Sequence, residues 1–255
     1  MGNQGHPRKL KTIETAVEII DKIQEQDGIR VSELADELGL APSTAHGYLS
    51  TLEDNRYLIK KDEEYHIGMR FLNVGGYAKH REEWHKFASQ KVEELAGETD
   101  ERAQFLVEEH GRGIYLHTRT GNEAIQMDAR IGKQNFLHAS SAGKAILANL
   151  PDTQVEQILD RWGLPQLTKN TITSREDLYE NLQEIRDRGF AFNKEESVNG
   201  LRAIGVPVKT PEGTVLGALS VSGPSHRLRE EWFHQELPKL LLSSANEIEL
   251  QISHP

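Results

Sequence analysis

The chain is 255 residues long, enough for two domains of ordinary size, with 30 Lys and Arg, 40 Asp and Glu, a net charge of −10 and no cysteine. The absence of thiols excludes disulfides and thiolate metal sites and fits a reducing compartment. No window approaches 18 uninterrupted apolar residues, and the first eleven residues are polar and basic with no apolar stretch behind them; neither a membrane span nor a secretory signal is expected, and a cytoplasmic protein is anticipated.

An acidic balance argues at first sight against nucleic acid, but its distribution matters more than its sum. Residues 1–81 carry 11 basic against 13 acidic side chains, and the remaining 174 carry 19 against 27. The excess acid therefore sits mostly in the second half. Over the whole chain it hints at a salt-loving host.

Between residues 12 and 26 the apolar positions Ile13, Ala16, Val17, Ile19, Ile20 and Ile23 recur at helical spacing, and Asp27-Gly28 supplies turn chemistry to end the helix. Ser32 can cap a short second helix with Leu34, Ala35 and Leu38 on its apolar side, and Gly39 suits a left-handed C-terminal position. Pro42 stands where a first helical residue would, and a third helix runs through Leu52. Two short runs, 58–61 and 64–67, flank Asp62-Glu63 and predict a hairpin. Helix, short helix, turn, helix, hairpin is the order of a winged helix-turn-helix, assigned to residues 10–78.

A recognition helix must offer short polar side chains at its first turns, because base edges are read by hydrogen bonds in a major groove only about 12 Å wide. Ser43, Thr44, His46, Gly47 and Tyr48 meet that need, while Leu49 and Leu52 point into the helical core. Gly47 costs about 1 kcal/mol against Ala in mid-helix, a cost more easily borne where backbone approaches DNA. Phosphate contacts are expected from Arg8, Lys9 and Lys11 in an N-terminal arm, Arg56 after the helix, and Lys60 and Lys61 on the hairpin. Glu14, Glu18, Asp21, Glu33, Asp36 and Glu37 lie on other elements. The competing reading is a helical domain for protein contacts, with Lys60-Lys61 a solvated pair.

Residues 79–97 carry Trp84, Phe87, Ala88, Val92 and Leu95 along one side and predict a linker helix, packed on a partner subunit or within its own chain. His80 and His85 flank its start and are expected at the surface. Residues 98–255 then alternate strand candidates (103–109, 113–119, 124–129, 201–209, 215–222) with helix candidates (141–150, 153–162, 175–188 and about 230–250). Ser174 can cap the helix at 175–188, with Asp177 three residues on. The sum is a mixed sheet with helices on it, an α+β ligand-binding type of domain.

Ser140 and Ser141 precede a helix start, where free N–H groups and the helix dipole can hold an anion such as a carboxylate; plain capping competes. In strand 215–222, Ser220 and Ser222 share a face with Ala218, while Val215, Gly217, Leu219 and Val221 fall on the other. Such hydroxyls line either a pocket or a solvated face. Phe136 and Met127 are candidates for an apolar wall, and Lys144 is expected to be structural.

Enzyme signatures are thin. Gly143-Lys144 lacks the earlier Gly of a P-loop (His138 is there) and the following Ser or Thr (Ala145). Gly111-Arg112-Gly113 has Leu116 in place of a third glycine. Neither a Gly-x-Ser-x-Gly elbow nor a His-Glu-x-x-His pair exists. The leading enzyme alternative is a serine hydrolase using Ser141 or Ser220 with His138 or His226.

Four stretches together resemble one family. Residues 31–58, VSELADELGLAPSTAHGYLSTLEDNRYL, resemble the DNA-binding domain of IclR-type transcriptional regulators. LHASSAGKAILANL (137–150), RDRGFAFNKEESVNGLRAIGVPV (186–208) and GTVLGALSVSGPSHRL (213–228) are similar to its effector-domain motifs, in order and at the expected separations. Judged by the acidity, haloarchaeal members are the expected near relatives. The resemblance implies a GAF-like effector-binding domain whose ligand lies against Ser141, Ala142, Asn193, Ala203, Ser220 and Ser222. Two positions depart from the family pattern: Asn193 stands where Asp is frequent, and Ala203 where Cys is common. Both leave a less ionisable pocket, so ligand identity does not carry over. The resulting expectation is a non-enzymatic regulator without cofactor or metal. It would bind a pseudo-palindromic operator in double-stranded DNA as a homodimer or dimer of dimers, half-sites about 10 bp or a multiple apart, and answer to a small-molecule effector, a carboxylate or aromatic acid.

Overall fold

A computed structural model describes residues 9–121, 130–228 and 231–254. The chain divides into two compact units, Met1–Ala78 and Lys79–Pro255.

In the first unit, α1 (Lys11–Gln26), α2 (Val31–Leu38) and α3 (Pro42–Asp54) pack around Ile19, Ile23, Leu34, Ala45 and Leu49. Asp27 and Gly39 end their helices in the left-handed region, at φ 59° and 61°. One cap differs from expectation. Helix α2 begins at Val31, so Ser32 is already inside it, and the Glu33 carboxylate accepts from the Arg30 backbone N–H at 3.0 Å. Strands β1 (Leu58–Lys61) and β2 (Glu64–Ile67) form the hairpin, with Lys61 opposite Glu64, and Leu58 and Tyr65 complete the core. Helix α4 (Arg70–Lys79), absent from the sequence reading, follows; it buries none of its side chains, so no periodic apolar face announced it.

In the second unit the helix expected at 79–97 starts later, as α5 (His85–Thr99). Lys79 closes α4, and His85 Nδ1 donates to the Lys79 carbonyl at 2.6 Å, so the chain turns between the helices. His85 is consequently buried, 7% exposed, rather than at the surface. Next come β3 (Arg102–Glu109), β4 (Arg112–Thr120), β5 (Gln134–Asn135), α6 (Ser141–Leu147), α7 (Asp152–Trp162), α8 (Arg175–Arg188), β6 (Ala191–Lys194), β7 (Leu201–Lys209), β8 (Val215–Pro224) and α9 (Leu237–Ser253). The strand expected at 124–129, Met127 included, lies outside the described residues. The six strands form one sheet in the order β5-β4-β3-β8-β7-β6. It is not mixed: every pairing among the described residues is antiparallel.

Strand alternation gives the sheet two faces, each with its own core. One side buries Phe105, Ile204, Val206, Leu219 and Val221 under α5 and α9; the other buries Leu106 and Ala218 under α6, α7 and α8. Val215 packs with the second set, not with Leu219 as alternation alone predicts. A bulge between Lys209↔Val215 and Val208↔Gly217 inserts Leu216 and flips the parity. Ser174 caps α8 as expected, its Oγ accepting from Asp177 N at 3.1 Å.

Candidate functional site

Two groups of polar residues stand apart from the cores. On the first unit, the opening turns of α3 present Ser43, Thr44, His46 and Gly47 to solvent, with Ala45 and Leu49 turned inward and fully buried. Tyr48 is half-buried against the core. Their side-chain hydrogen bonds among the described residues are local: His46 Nδ1 lies 3.3 Å from Ser50 Oγ, and Thr51 donates to the Gly47 carbonyl at 2.7 Å. A Cβ on Gly47 would meet nothing within 4 Å among the described residues, so packing there does not require glycine. Arg56, Lys60 and Lys61 are exposed on the same unit, Arg56 at φ 63°. Lys9 is exposed and lies 3.5 Å from Glu14. Lys11 is not in an arm but opens α1, and Arg8 lies outside the described residues.

The second group surrounds a cavity of about 460 Å³ in the second unit, lined by all six residues named from the sequence: Ser141, Ala142, Asn193, Ala203, Ser220 and Ser222. Register explains how segments so distant in sequence meet. Asn193 pairs with Ala203, Ala203 with Ser222, and Ser222 with Arg102, a single row across four strands. The next row is Gly205, Ser220 and Gln104. Helix α6 lies so close to that row that a Cβ on Gly205 would sit 2.4 Å from the Ser141 carbonyl carbon, a contact that backbone cannot yield. Gly143 is likewise pressed onto Leu137, its hypothetical Cβ 2.2 Å from that carbonyl oxygen.

The serines divide by role. Ser140 caps α6, its Oγ accepting from Gly143 N at 3.1 Å, and Ser222 Oγ accepts from Gln104 at 2.7 Å and from Arg102 Nε at 3.3 Å. The hydroxyls of Ser141 and Ser220 have no hydrogen-bond partner among the described residues. Asn193 is fully engaged internally. Its Nδ2 donates to Ala139 O at 2.9 Å and Ser197 Oγ at 3.0 Å, and its Oδ1 accepts from Glu196 N at 2.9 Å. It thereby fixes the loop carrying Ser197 and Val198, which also line the cavity.

Sequence reasoning missed the cavity's charged groups. Arg102, Arg112 and Lys133 line it. Arg102 is 5% exposed; burial pushes its guanidinium below its usual value, against the raising effect of Tyr115 and Glu101. It stays charged at neutral pH. The signal was present in the alternation of Arg102 and Gln104 with Ala103 and Phe105, polar every second residue at the start of the strand. Phe136 lines the cavity as expected, and Arg112 lies 3.6 Å over its ring. Lys144 is structural: it is 1% exposed and ion-paired with Glu196.

A serine nucleophile needs a histidine within hydrogen-bond reach. Neither Ser141 nor Ser220 has one among the described residues, and His138 Nε2 points instead at the Pro165 carbonyl, 3.2 Å away.

Comparison with known proteins places both units in one family. The family model described as "IclR helix-turn-helix domain" matches residues 12–62, and "Bacterial transcriptional regulator IclR C-terminal" matches residues 77–250. The protein named "Probable HTH-type transcriptional regulator ArcR" of Halobacterium salinarum is 34% identical over 98% of this chain and 97% of its own. Among solved structures, the Thermotoga maritima IclR superimposes with a TM-score of 0.79 at 28% identity, covering 96% of this chain and 100% of that one. An IclR homolog from Microbacterium hydrocarbonoxydans complexed with 4-hydroxybenzoate gives 0.76 at 25%, covering 89% and 92%. The chain belongs to the IclR family of transcriptional regulators, with a helix-turn-helix DNA-binding domain at its N-terminus and an α+β effector-binding domain at its C-terminus.

Proposed function

We propose that residues 10–78 bind operator DNA, that residues 79–97 join them to an effector domain at 98–255, and that the effector is a small carboxylic acid held in the 460 Å³ cavity. One observation carries the choice of ligand class: among the described residues the cavity is lined by hydrogen-bond donors, the side chains of Arg102, Arg112 and Lys133 and the hydroxyls of Ser141 and Ser220. A carboxylate can accept charge-assisted hydrogen bonds from such a donor set, the strongest kind it can make. The free hydroxyls of Ser141 and Ser220 supply donors for its polar atoms, and Ala142, Ala203 and Phe136 an apolar wall. The complex of a relative with 4-hydroxybenzoate supports an aromatic acid as one such ligand.

On the DNA side, Ser43, Thr44, His46 and Gly47 read base edges, with Tyr48 at the margin of that surface. Lys9, Lys11, Arg56, Lys60 and Lys61 contact phosphates, and Arg8 joins them. The operator is pseudo-palindromic and the protein a homodimer or dimer of dimers in the cytoplasm. Ile13 and Val17 on α1 and Leu72 and Tyr77 on α4, each more than half exposed, support a second copy covering exposed apolar side chains of this unit. No helix among the described residues is long and apolar enough to cross a membrane. No catalytic step is assigned.

Selection of DNA fragments by the purified protein, then operator titration with and without carboxylic acids, tests this reading. It predicts a palindromic consensus and an affinity changed by at least one acid. Failure to enrich any sequence would contradict it.

A further inference from the structure

Burial sorts the lining of the cavity into a floor and a mouth. Arg102, Gln104, Ser141, Asn193, Ser220 and Ser222 are each 5% exposed or less and form the floor, together with the small side chains of Ala142 and Ala203. Among the described residues, four that line the cavity are exposed: Lys133, Gln134, Leu167 and Val198. They fall at two opposite edges of the sheet. Gln134 lies on β5 at one edge, with Lys133 just before it, and Val198 lies in the connection that follows β6 at the other. Leu167 belongs with Val198. Thr168 Oγ1 donates to the Glu195 carbonyl at 2.7 Å, Thr171 Oγ1 to the Glu196 carbonyl at 2.6 Å, and Asn170 Nδ2 to the Lys194 carbonyl at 3.1 Å. That side of the mouth is therefore apolar.

An ordinary ligand cleft has mostly apolar walls with a few polar groups set among them. Here the polar groups are gathered at the bottom, and two branched aliphatic side chains stand at the rim, Leu167 45% and Val198 42% exposed. The backbone imposes their exposure. Glu196 N donates to Asn193 Oδ1 at 2.9 Å, the Glu196 carboxylate pairs with buried Lys144, and Gly200 N donates to Glu195 Oε2 at 2.8 Å. The loop carrying Val198 is thus tied on both sides of it. Side chains held in place before a ligand arrives lose little freedom on binding it.

We infer that the effector is a carboxylic acid with an apolar tail, which enters head first, its carboxylate on the polar floor and its tail against Leu167 and Val198. This deepens the reading of the cavity as a carboxylate site and rests on it. An acid of two or three carbons would leave both side chains in water, whereas a longer one removes them from it, a favourable transfer. The volume admits such a ligand, since 460 Å³ lies within the range of pockets that enclose drug-sized molecules.

The test is calorimetric titration of the full-length protein with butyrate, hexanoate and octanoate. Each methylene laid on the rim should tighten binding about threefold to fourfold. Octanoate should therefore bind about tenfold or more tightly than butyrate, even if part of its tail outruns the two side chains. In Leu167→Asn with Val198→Thr, which nearly keeps the volumes, that ratio should fall several-fold. Val198→Thr alone should lower it by less, and carries the test if the double variant does not fold; circular dichroism melts show which applies. Equal binding of butyrate and octanoate by the unmodified protein, or an unchanged ratio in the folded variant, would overturn the inference and leave a carboxylate effector standing. If none of the three acids binds, the carboxylate reading of the cavity fails, and this inference with it.

Discussion

The two candidate sites are built on opposite plans. On α3 the residues assigned to DNA lie outside the core, and the side-chain bonds described near them, His46 to Ser50 and Thr51 to Gly47, are local. In the effector domain every assigned residue is a structural member of the sheet or of α6, and Ser222 and Asn193 hold other parts of the protein as well as facing the cavity. Function and stability are therefore separable on α3 and entangled around the cavity. Each prediction below sharpens or breaks that contrast.

The largest effect belongs to α3 itself. Leu49→Ala removes a side chain that is 0% exposed and should destabilise the first unit by about 2–5 kcal/mol. The triple change Ser43→Ala, Thr44→Ala and His46→Ala, one turn away, should leave the melt within about 0.5 kcal/mol per site while lowering operator affinity more than tenfold, since a good base contact is worth about 1–3 kcal/mol. Thermal unfolding and fluorescence anisotropy on the two proteins check the separation; a triple variant that unfolds would abolish it.

Acid should act on the second unit. Burial holds His117 uncharged, its pKa pushed from 6.5 down to about 4, and burial likewise lowers His85 and His138. The unfolded chain takes up these protons first, so stability is fully present above about pH 6.5 and is lost as pH falls towards 4. The His117 share is at most about 3 kcal/mol. Denaturant titrations across that range should show a shallower pH dependence in His117→Gln than in the unmodified protein; identical curves would contradict the assignment.

The wing comes next. Lys60→Ala with Lys61→Ala should flatten the dependence of log operator affinity on log salt by about two charges' worth, without altering the melt. Smallest of all, Gly47→Ala fills open space on a helix and should stabilise the unit by about 1 kcal/mol. It should weaken operator binding if backbone approaches DNA there, so stability and affinity would move in opposite directions.

The same contrast explains what could be read from the sequence. Helix α8 with its Ser174 cap, strand β7 and helix α3 behind Pro42 were legible, because each carries its signal within a few residues. Helix α4 was not, since it buries nothing and contains Gly75-Gly76. Trp84, Phe87 and Val92 suggested one continuous helix from residue 79, whereas the His85 bond to Lys79 and the turn bond from His85 N to Glu82 O mark a turn before it. In the cavity, Ser220 and Ser222 could be placed on one face by alternation, and motif resemblance pointed to Ser141 and Asn193. Arg102 and Arg112 escaped notice because an arginine at a strand end reads as solvated. Their burial depends on cross-strand register and on Phe136, neither of which is local.

The account stands or falls on coupling between the cavity and the operator. The decisive measurement is operator affinity, by fluorescence anisotropy, with and without the best-binding carboxylic acid, in the unmodified protein and in Ser141→Ala with Ser220→Ala. A shift of roughly 5–150-fold in the unmodified protein, lost in the double variant while its affinity without ligand is kept, is the predicted result. An equal shift in both proteins would show that the effector acts from somewhere else.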